Sequence, residues 1–221
     1  MTLALPSAPR LAASVLAIVL GVTSIAAPVL APSPAVAQAA RDAQAEAFVT
    51  AQSQRALDIL NSRSMTQAQK VQSFRAFVDQ TADVQRITDF VLGKYRRTIT
   101  PAQYQQFAQV FRAYTSDVYE SRLDEYKGER FRVTGSAVRR PGDVVVNSVV
   151  SGGQMDQPRN VRWRVIKDQS GQWRVVDVEV VGVWLAITQQ QDFVATVDNA
   201  GGNINVLINQ LRAQVQGRQR G

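Results

Sequence analysis

Apolar positions along this chain change period twice, from steps of three and four to alternation and back again. Over residues 38–61, Ala45, Phe48, Val49, Ala56, Ile59 and Leu60 recur at helical spacing, with Gln52 as a polar interruption, and predict a first helix. Residues 61–66 read as a turn. Ala68, Val71, Phe74 and Val78 predict a second amphipathic helix, and Asp83, Val84, Ile87, Val91 and Leu92 a third that Gly93 ends. After a basic turn at residues 94–97 comes a long fourth helix, residues 101–127. Thr100 can cap it, Pro101 suits its first position, and Gln103 stands at capping-box spacing. Tyr104, Phe107, Phe111, Tyr114 and Val118 share one face of that helix, a stripe that has to be covered.

The period then becomes two. Residues 129–138 and 143–151 are rich in β-branched side chains and are bounded by Pro141-Gly142 and Gly152-Gly153. Residues 160–166 alternate, with Val161, Trp163 and Val165 on one side and Arg162 and Arg164 on the other. Residues 172–183 read as one long strand, apolar on both faces over part of its length. Asp177 and Glu179 fall on one side of it, where Arg162 and Arg164 can pair with them as a charge ladder on the sheet surface. Residues 184–200 and 204–215 return to helical spacing around the Gly201-Gly202 break, and residues 217–221 form a polar tail. Helices, then about four strands joined by short turns, then helices indicate an α+β domain with helices on one face of a curved antiparallel sheet.

The segment of residues 89–128 carries an ordered set of motifs. These are Phe90-Val91-Leu92-Gly93-Lys94-Tyr95-Arg96-Arg97, then Thr100-Pro101-Ala102-Gln103, then Phe107, Phe111 and Tyr114, then Tyr119, Arg122-Leu123 and Tyr126. The set resembles the MlaC, or toluene-tolerance, family of periplasmic phospholipid-binding proteins, and a hopanoid-associated branch is similar. The resemblance covers residues 48–211.

Composition narrows the chemistry. Arg10 is the only side-chain charge before Arg41, an apolar run precedes Pro28, Pro32 and Pro34, and Ala35-Val36-Ala37 fits a signal-peptidase site. Residues 1–37 are therefore expected to be a cleaved signal peptide, residues 38–216 one domain, and the mature protein a periplasmic one. The chain has no Cys and no His, so disulfides, a His-based triad, a thiol nucleophile and the usual zinc sites are all unavailable. Asp117, Glu120 and Asp124 share a helix face with Gln105, Gln109 and Arg112, which reads as a solvated face. No catalytic, metal or cofactor residue is expected, and the protein is not read as an enzyme. The net charge of +7 suits anionic headgroups or an acidic partner as well as plain solubility; an exported protein has little to do with nucleic acid.

Periodicity does not distinguish a filled core from the wall of a cavity. Wall candidates are Val91 and the stripe Tyr104, Phe107, Phe111, Tyr114 and Val118; on the sheet Val133, Val145, Val149, Trp163, Val165, Val176, Val178 and Val180; and at the far side Trp184, Ile187 and Phe193. The resemblance favours the cavity, because in the family helices and sheet enclose an elongated pocket for acyl chains. It also implies a monomeric carrier of phospholipid between an inner-membrane ABC transporter complex and an outer-membrane lipoprotein complex. Lys94, Tyr95, Arg96 and Arg97 are candidates for headgroup steering or partner docking, although a helix C-terminus alone explains cations there. The sequence departs from the family at Arg96, where an aromatic is usual, and at Trp184, where a small residue is usual. A Trp there would shorten the pocket, which keeps a hopanoid or another membrane lipid open as cargo. A periplasmic protein-interaction module with a filled core is the alternative from another class.

Overall fold

The computed structural model describes residues 40–120, 128–153 and 155–218. The expected leader and its cleavage site lie outside the described residues, as do Arg122, Asp124 and Tyr126. Helix α1 (Ala43–Asn61) lies within the expected span of residues 38–61, and Asp42 caps it by accepting the Ala45 N–H at 2.9 Å. Helix α2 (Gln67–Thr81) opens with a full capping box between Thr66 and Gln69, and α3 (Val84–Val91) is capped by Asp83. A short 3₁₀ turn, Gly93–Arg97, follows. Helix α4 (Pro101–Glu120) starts as its sequence predicts: Gln103 Oε1 accepts the Thr100 N–H at 3.0 Å, and Thr100 Oγ1 accepts the Gln103 N–H at 3.2 Å.

The sheet is antiparallel and in sequence order: β1 (Glu129–Arg140), β2 (Asp143–Gly152), β3 (Arg159–Lys167), β4 (Trp173–Val180) and β5 (Val183–Trp184). The long strand expected over residues 172–183 is thus two strands. Val181 and Gly182 both take positive φ, 51° and 85°, the signature of a tight hairpin turn of the primed type. No Asn-Gly or Asp-Gly announces it, and a β-branched residue rarely adopts that conformation. Helices α5 (Leu185–Asn199) and α6 (Ile204–Arg218) complete the chain; α6 runs through Gly217 and Arg218, which the sequence placed in the tail.

Two separate hydrophobic cores form. In the helical core Phe107 and Phe111 of α4 stack at 5.5 Å, and Phe193 of α5 meets both edge-on at 5.8 Å. Val91, Leu92, Val197 and the α6 face of Ile204, Leu207, Ile208 and Leu211 close around them. In the sheet core Ala45 and Val49 of α1 pack on Val144, Val146, Val165 and Val175. The register matches Val144 with Val165 and Val146 with Trp163, so these side chains share the face under α1.

That parity corrects two expectations. Val145 and Val149 alternate with the inward Val144, Val146 and Ser148, and so lie on the outer face of the sheet. The run Asp143-Val144-Val145-Val146 offers valines to both faces, so composition alone could not settle which faced in. The outer face carries the ion pairs. Arg164 reaches Asp143 at 2.9 Å, and Arg162 Nε donates to Glu179 at 2.7 Å. The carboxylates of that ladder are buried, Asp177 and Glu179 at 8% and 6% exposure, where a surface ladder was expected.

Candidate functional site

The helical core and the sheet core do not meet along their whole length. Between them lies an apolar cavity of about 510 Å³. Val91, Phe111 and Ala186 reach it from the helical core, and Val49 and Val175 from the sheet core. The floor is the inner face of β3 and β4: Val161, Trp163, Val176, Val178 and Val180. The roof is α2 with the start of α3: Phe74, Phe77, Val78, Ala82, Val84 and Ile87. Leu185 and Gln189 of α5 border it at one end.

Polar groups on the wall are turned away or satisfied. Thr115 Oγ1 donates to the carbonyl oxygens of its own helix at Phe111 and Arg112, both at 3.0 Å, which leaves its methyl toward the space. Trp163 Nε1–H donates to Ser148 Oγ at 3.0 Å, so its ring can face hydrocarbon. No buried side-chain nitrogen or oxygen among the described residues lacks a partner. Asp177, opposite Arg164 in the sheet register, borders the cavity where β4 meets the start of α5. Its Oδ1 accepts the N–H groups of Val178 and Ala186, each at 2.8 Å, and so caps α5, whose N-cap residue Trp184 has no side chain able to do so. Burial pushes its pKa up, against those hydrogen bonds and the Arg164 charge.

Of the residues proposed from sequence, Val91, Phe111, Trp163, Val176, Val178 and Val180 line this space. Phe107 and Phe193 are buried one layer behind it, Tyr104 and Tyr114 pack on the same helical core, and Val133 and Val165 belong to the sheet core. Val118 is half-buried on α4 and is not on the wall. Ile187 is 39% exposed, because Ala186 takes the inward position of α5 in phase with Phe193 and Val197. Trp184 is also outside the wall. The Val181-Gly182 reversal pairs it with Glu179, on the outer face, where the Arg162 guanidinium lies 5.4 Å over its ring. The pocket is therefore not shortened by it.

The basic turn is likewise not on the wall. Lys94 Nζ lies 2.6 Å from Asp198, the Tyr95 hydroxyl donates to the same carboxylate, and Arg96 pairs with Asp89 at 2.6 Å while covering the Tyr104 ring. Those side chains fasten the turn to α5 and α3; Arg97 is exposed. The sequence reading missed the contribution of α1 and α2. Its available signal was Phe77 beside Phe74 and Val78, a stripe wider than contact with one neighbouring helix uses. In the structure α2 has one buried residue, Thr81.

Comparison with known proteins agrees with this geometry. The sequence model of the MlaC protein family matches residues 50–213, and the chain belongs to that family. Its fold is similar to that of a phospholipid-binding protein from Ralstonia solanacearum solved in complex with a phospholipid. The two are 25% identical, with a TM-score of 0.69 over 79% of this chain and 98% of that one.

Proposed function

We propose that this protein is a periplasmic lipid carrier that takes phospholipid acyl chains into the cavity between its two cores and shuttles them between the inner and outer membranes. The observation that carries the reading is the cavity itself, about 510 Å³ of space walled almost wholly by hydrocarbon. That volume falls within the roughly 300–1,000 Å³ of ligand sites. Each methylene withdrawn from water contributes about 0.8 kcal/mol. A lipid with roughly thirty of them therefore carries on the order of 24 kcal/mol when exposed, more than scattered surface contacts can offset. The phospholipid held by the Ralstonia solanacearum protein, on a fold that covers nearly all of that chain, supports the same cargo.

The mechanism is extraction and shielding, with no covalent step, and the reading is of a binding protein, not an enzyme. Among the described residues no helix is long and apolar enough to cross a membrane, and the leader-like residues 1–37 supply the export signal. An ABC transporter complex at the inner membrane and a lipoprotein complex at the outer one are the partners implied by the family resemblance. The exposed aliphatic run Val181, Val183, Leu185 and Ile187 beside the cavity's α5 end is a surface such partners can cover. Native mass spectrometry of freshly purified protein tests the reading: a co-purifying lipid of phospholipid mass is expected. A lipid-free protein that also takes up no phospholipid from vesicles would refute it.

A further inference from the structure

A second depression lies on the other side of α1. It is a cleft of about 450 Å³ formed by α1, the end of α2 and the β3–β4 hairpin. Gln44, Phe48, Gln52 and Arg55 face it from one stripe of α1, and Lys167 and Arg174 face it from the hairpin. Three cations line the cleft and no carboxylate does. Arg174 is held by Asp168 at 3.0 Å. Arg55 is hydrogen-bonded to neutral partners, Gln52 and Gln80, at 3.0 Å each. Lys167 Nζ lies over the Trp173 ring at 5.1 Å. Arg55 and Lys167 donate to neutral amide groups that an anion can displace, whereas Arg174 is committed to the Asp168 carboxylate.

The cleft and the apolar cavity are neighbours separated by side chains. Adjacent stripes of α1 serve the two: Val49, Ser53 and Ala56 turn to the cavity, Phe48 and Arg55 to the cleft, and Gln52 borders both. Gln52 Oε1 accepts from Arg55 at 3.0 Å and from Thr81, on the cavity wall, at 3.3 Å. The Arg55 guanidinium lies 5.7 Å from the centre of the Phe77 ring, another wall residue. The side chains of Gln52, Thr81 and Phe77, beside the backbone bridge between Ala82 and Val175, thus stand between a dry space sized for acyl chain and a wet cleft lined by cations.

We infer that this cleft receives the phosphodiester of the lipid whose chain fills the cavity, with Arg55 and Lys167 as its principal contacts. The inference rests on the carrier reading above and places the headgroup at a built site beside α1, away from the basic turn at residues 94–97. Anion binding by Arg and Lys is charge-assisted and roughly twice as strong as a neutral contact. At about 1.4 kcal/mol per decade, loss of two such contacts is expected to cost about tenfold to a hundredfold in affinity.

The test compares two probes of equal chain length, palmitoyl-lysophosphatidylglycerol and uncharged monopalmitoylglycerol, on the wild-type chain and on Arg55→Gln/Lys167→Gln. The wild type should prefer the phosphate-bearing probe by at least about tenfold. The double variant should lose that preference while binding monopalmitoylglycerol as before. Lys167→Gln alone, at an exposed position, should lose part of it. Inorganic phosphate separates the sources: it should compete only weakly, because the chain anchors the headgroup. An unchanged preference in the double variant, or an equal loss for both probes, overturns the inference. So does tight phosphate binding with no gain from the chain, which would mark a free-anion site. If the wild type binds monopalmitoylglycerol but shows no preference, the headgroup site fails and the carrier reading stands. If it binds neither probe, both fall.

Discussion

Val178→Trp separates a lined space from a packed core. Val178 is half-buried on the inner face of β4, paired with Trp163, and on the cavity wall. Replacing an isopropyl group with an indole adds about seven non-hydrogen atoms, and a Trp side chain buries roughly 150–250 Å². In the empty protein those atoms enter unoccupied apolar space, so about 100 Å² of added burial at ~25 cal/mol per Å² offers up to about 2.5 kcal/mol of stabilisation. For the ligand the same atoms displace about seven methylenes, and at ~0.8 kcal/mol each that removes about 5–6 kcal/mol of binding. At about 1.4 kcal/mol per decade the affinity for an acyl chain should fall by roughly four decades. The assays are a fluorescent fatty-acyl probe titration and thermal denaturation of delipidated protein. The expected pair of results is abolished probe binding with an unchanged or raised Tm. A fall in Tm of many degrees would show a filled interior strained by overpacking, and unimpaired binding would show that the chain goes elsewhere. Either result refutes the reasoning.

In single-Trp variants, a lipid carrying a spin label near the chain terminus should quench Trp163, which lines the cavity, and leave Trp184 on the outer face unquenched. Gly93→Ala should cost roughly 2–3 kcal/mol in chemical denaturation, because φ is +54° and the new Cβ would sit 2.8 Å from Val194 Cγ2. Gly182→Ala, at φ +85° with open space around it, should cost only about 1 kcal/mol. Burial alone would raise the Asp143 carboxyl, but Arg164, helped by Arg139 and Arg140, overcomes it and holds the group below its ordinary range. Its stabilisation is therefore present above the unfolded-state carboxylate pKa and is lost as pH falls through the lower folded value. Asp143→Asn should remove roughly 2–3 kcal/mol at neutral pH, less than a fully buried pair because Arg164 stays 26% exposed, and should flatten this acid dependence in pH-resolved unfolding. Lys94→Gln and Arg96→Gln should leave lipid affinity within about twofold, since both side chains are engaged with Asp198 and Asp89 away from the cavity; a tenfold loss would return the headgroup to that turn.

Most elements were legible because their signals are local. The capping box at Thr100 and Gln103, the helix stop at Gly93 and the alternation of Val161, Trp163 and Val165 each need only a few neighbouring residues, and each formed as read. The α+β class followed from their order. What failed depended on contacts distant in sequence. The parity of Val145 and Val149 was decided by pairing with β3, where Arg164 meets Asp143. The turn at Val181 uses a conformation its residue type disfavours, so no propensity could announce it. That turn put Trp184 outside the pocket. The cavity was legible only as a surplus of apolar positions, since a stripe such as Tyr104–Val118 reads the same whether it meets side chains or hydrocarbon. Phe107 turned out to face the first and Phe111 both.

The remaining question of capacity has a physical answer in α2. At roughly 30 Å³ per water-sized group, the cavity of about 510 Å³ holds about seventeen such groups, close to one acyl chain and well short of two. A two-tailed lipid therefore requires a wall to retreat. The sheet floor cannot retreat readily, because β3 and β4 are tied to each other and to α1 through the sheet core. The α4–α5 wall is backed by the packed phenylalanines Phe107, Phe111 and Phe193. Helix α2 is different: its apolar side chains are half-exposed, and its fastenings lie at its ends. Lys70 Nζ donates to the Leu60 carbonyl at 3.0 Å near one end; at the other the Asp83 N–H donates to Val175 O at 2.9 Å. Between those ties Phe74, Phe77 and Val78 line the cavity; the two rings meet each other at 5.8 Å, and the sides turned to the cavity lack the packing contacts that filled interiors provide. Acyl chains would supply them. The helix that loses least by moving outward is thus the one that gains most from a bound lipid, and a partner that draws α2 aside weakens the hold on cargo without disturbing either core.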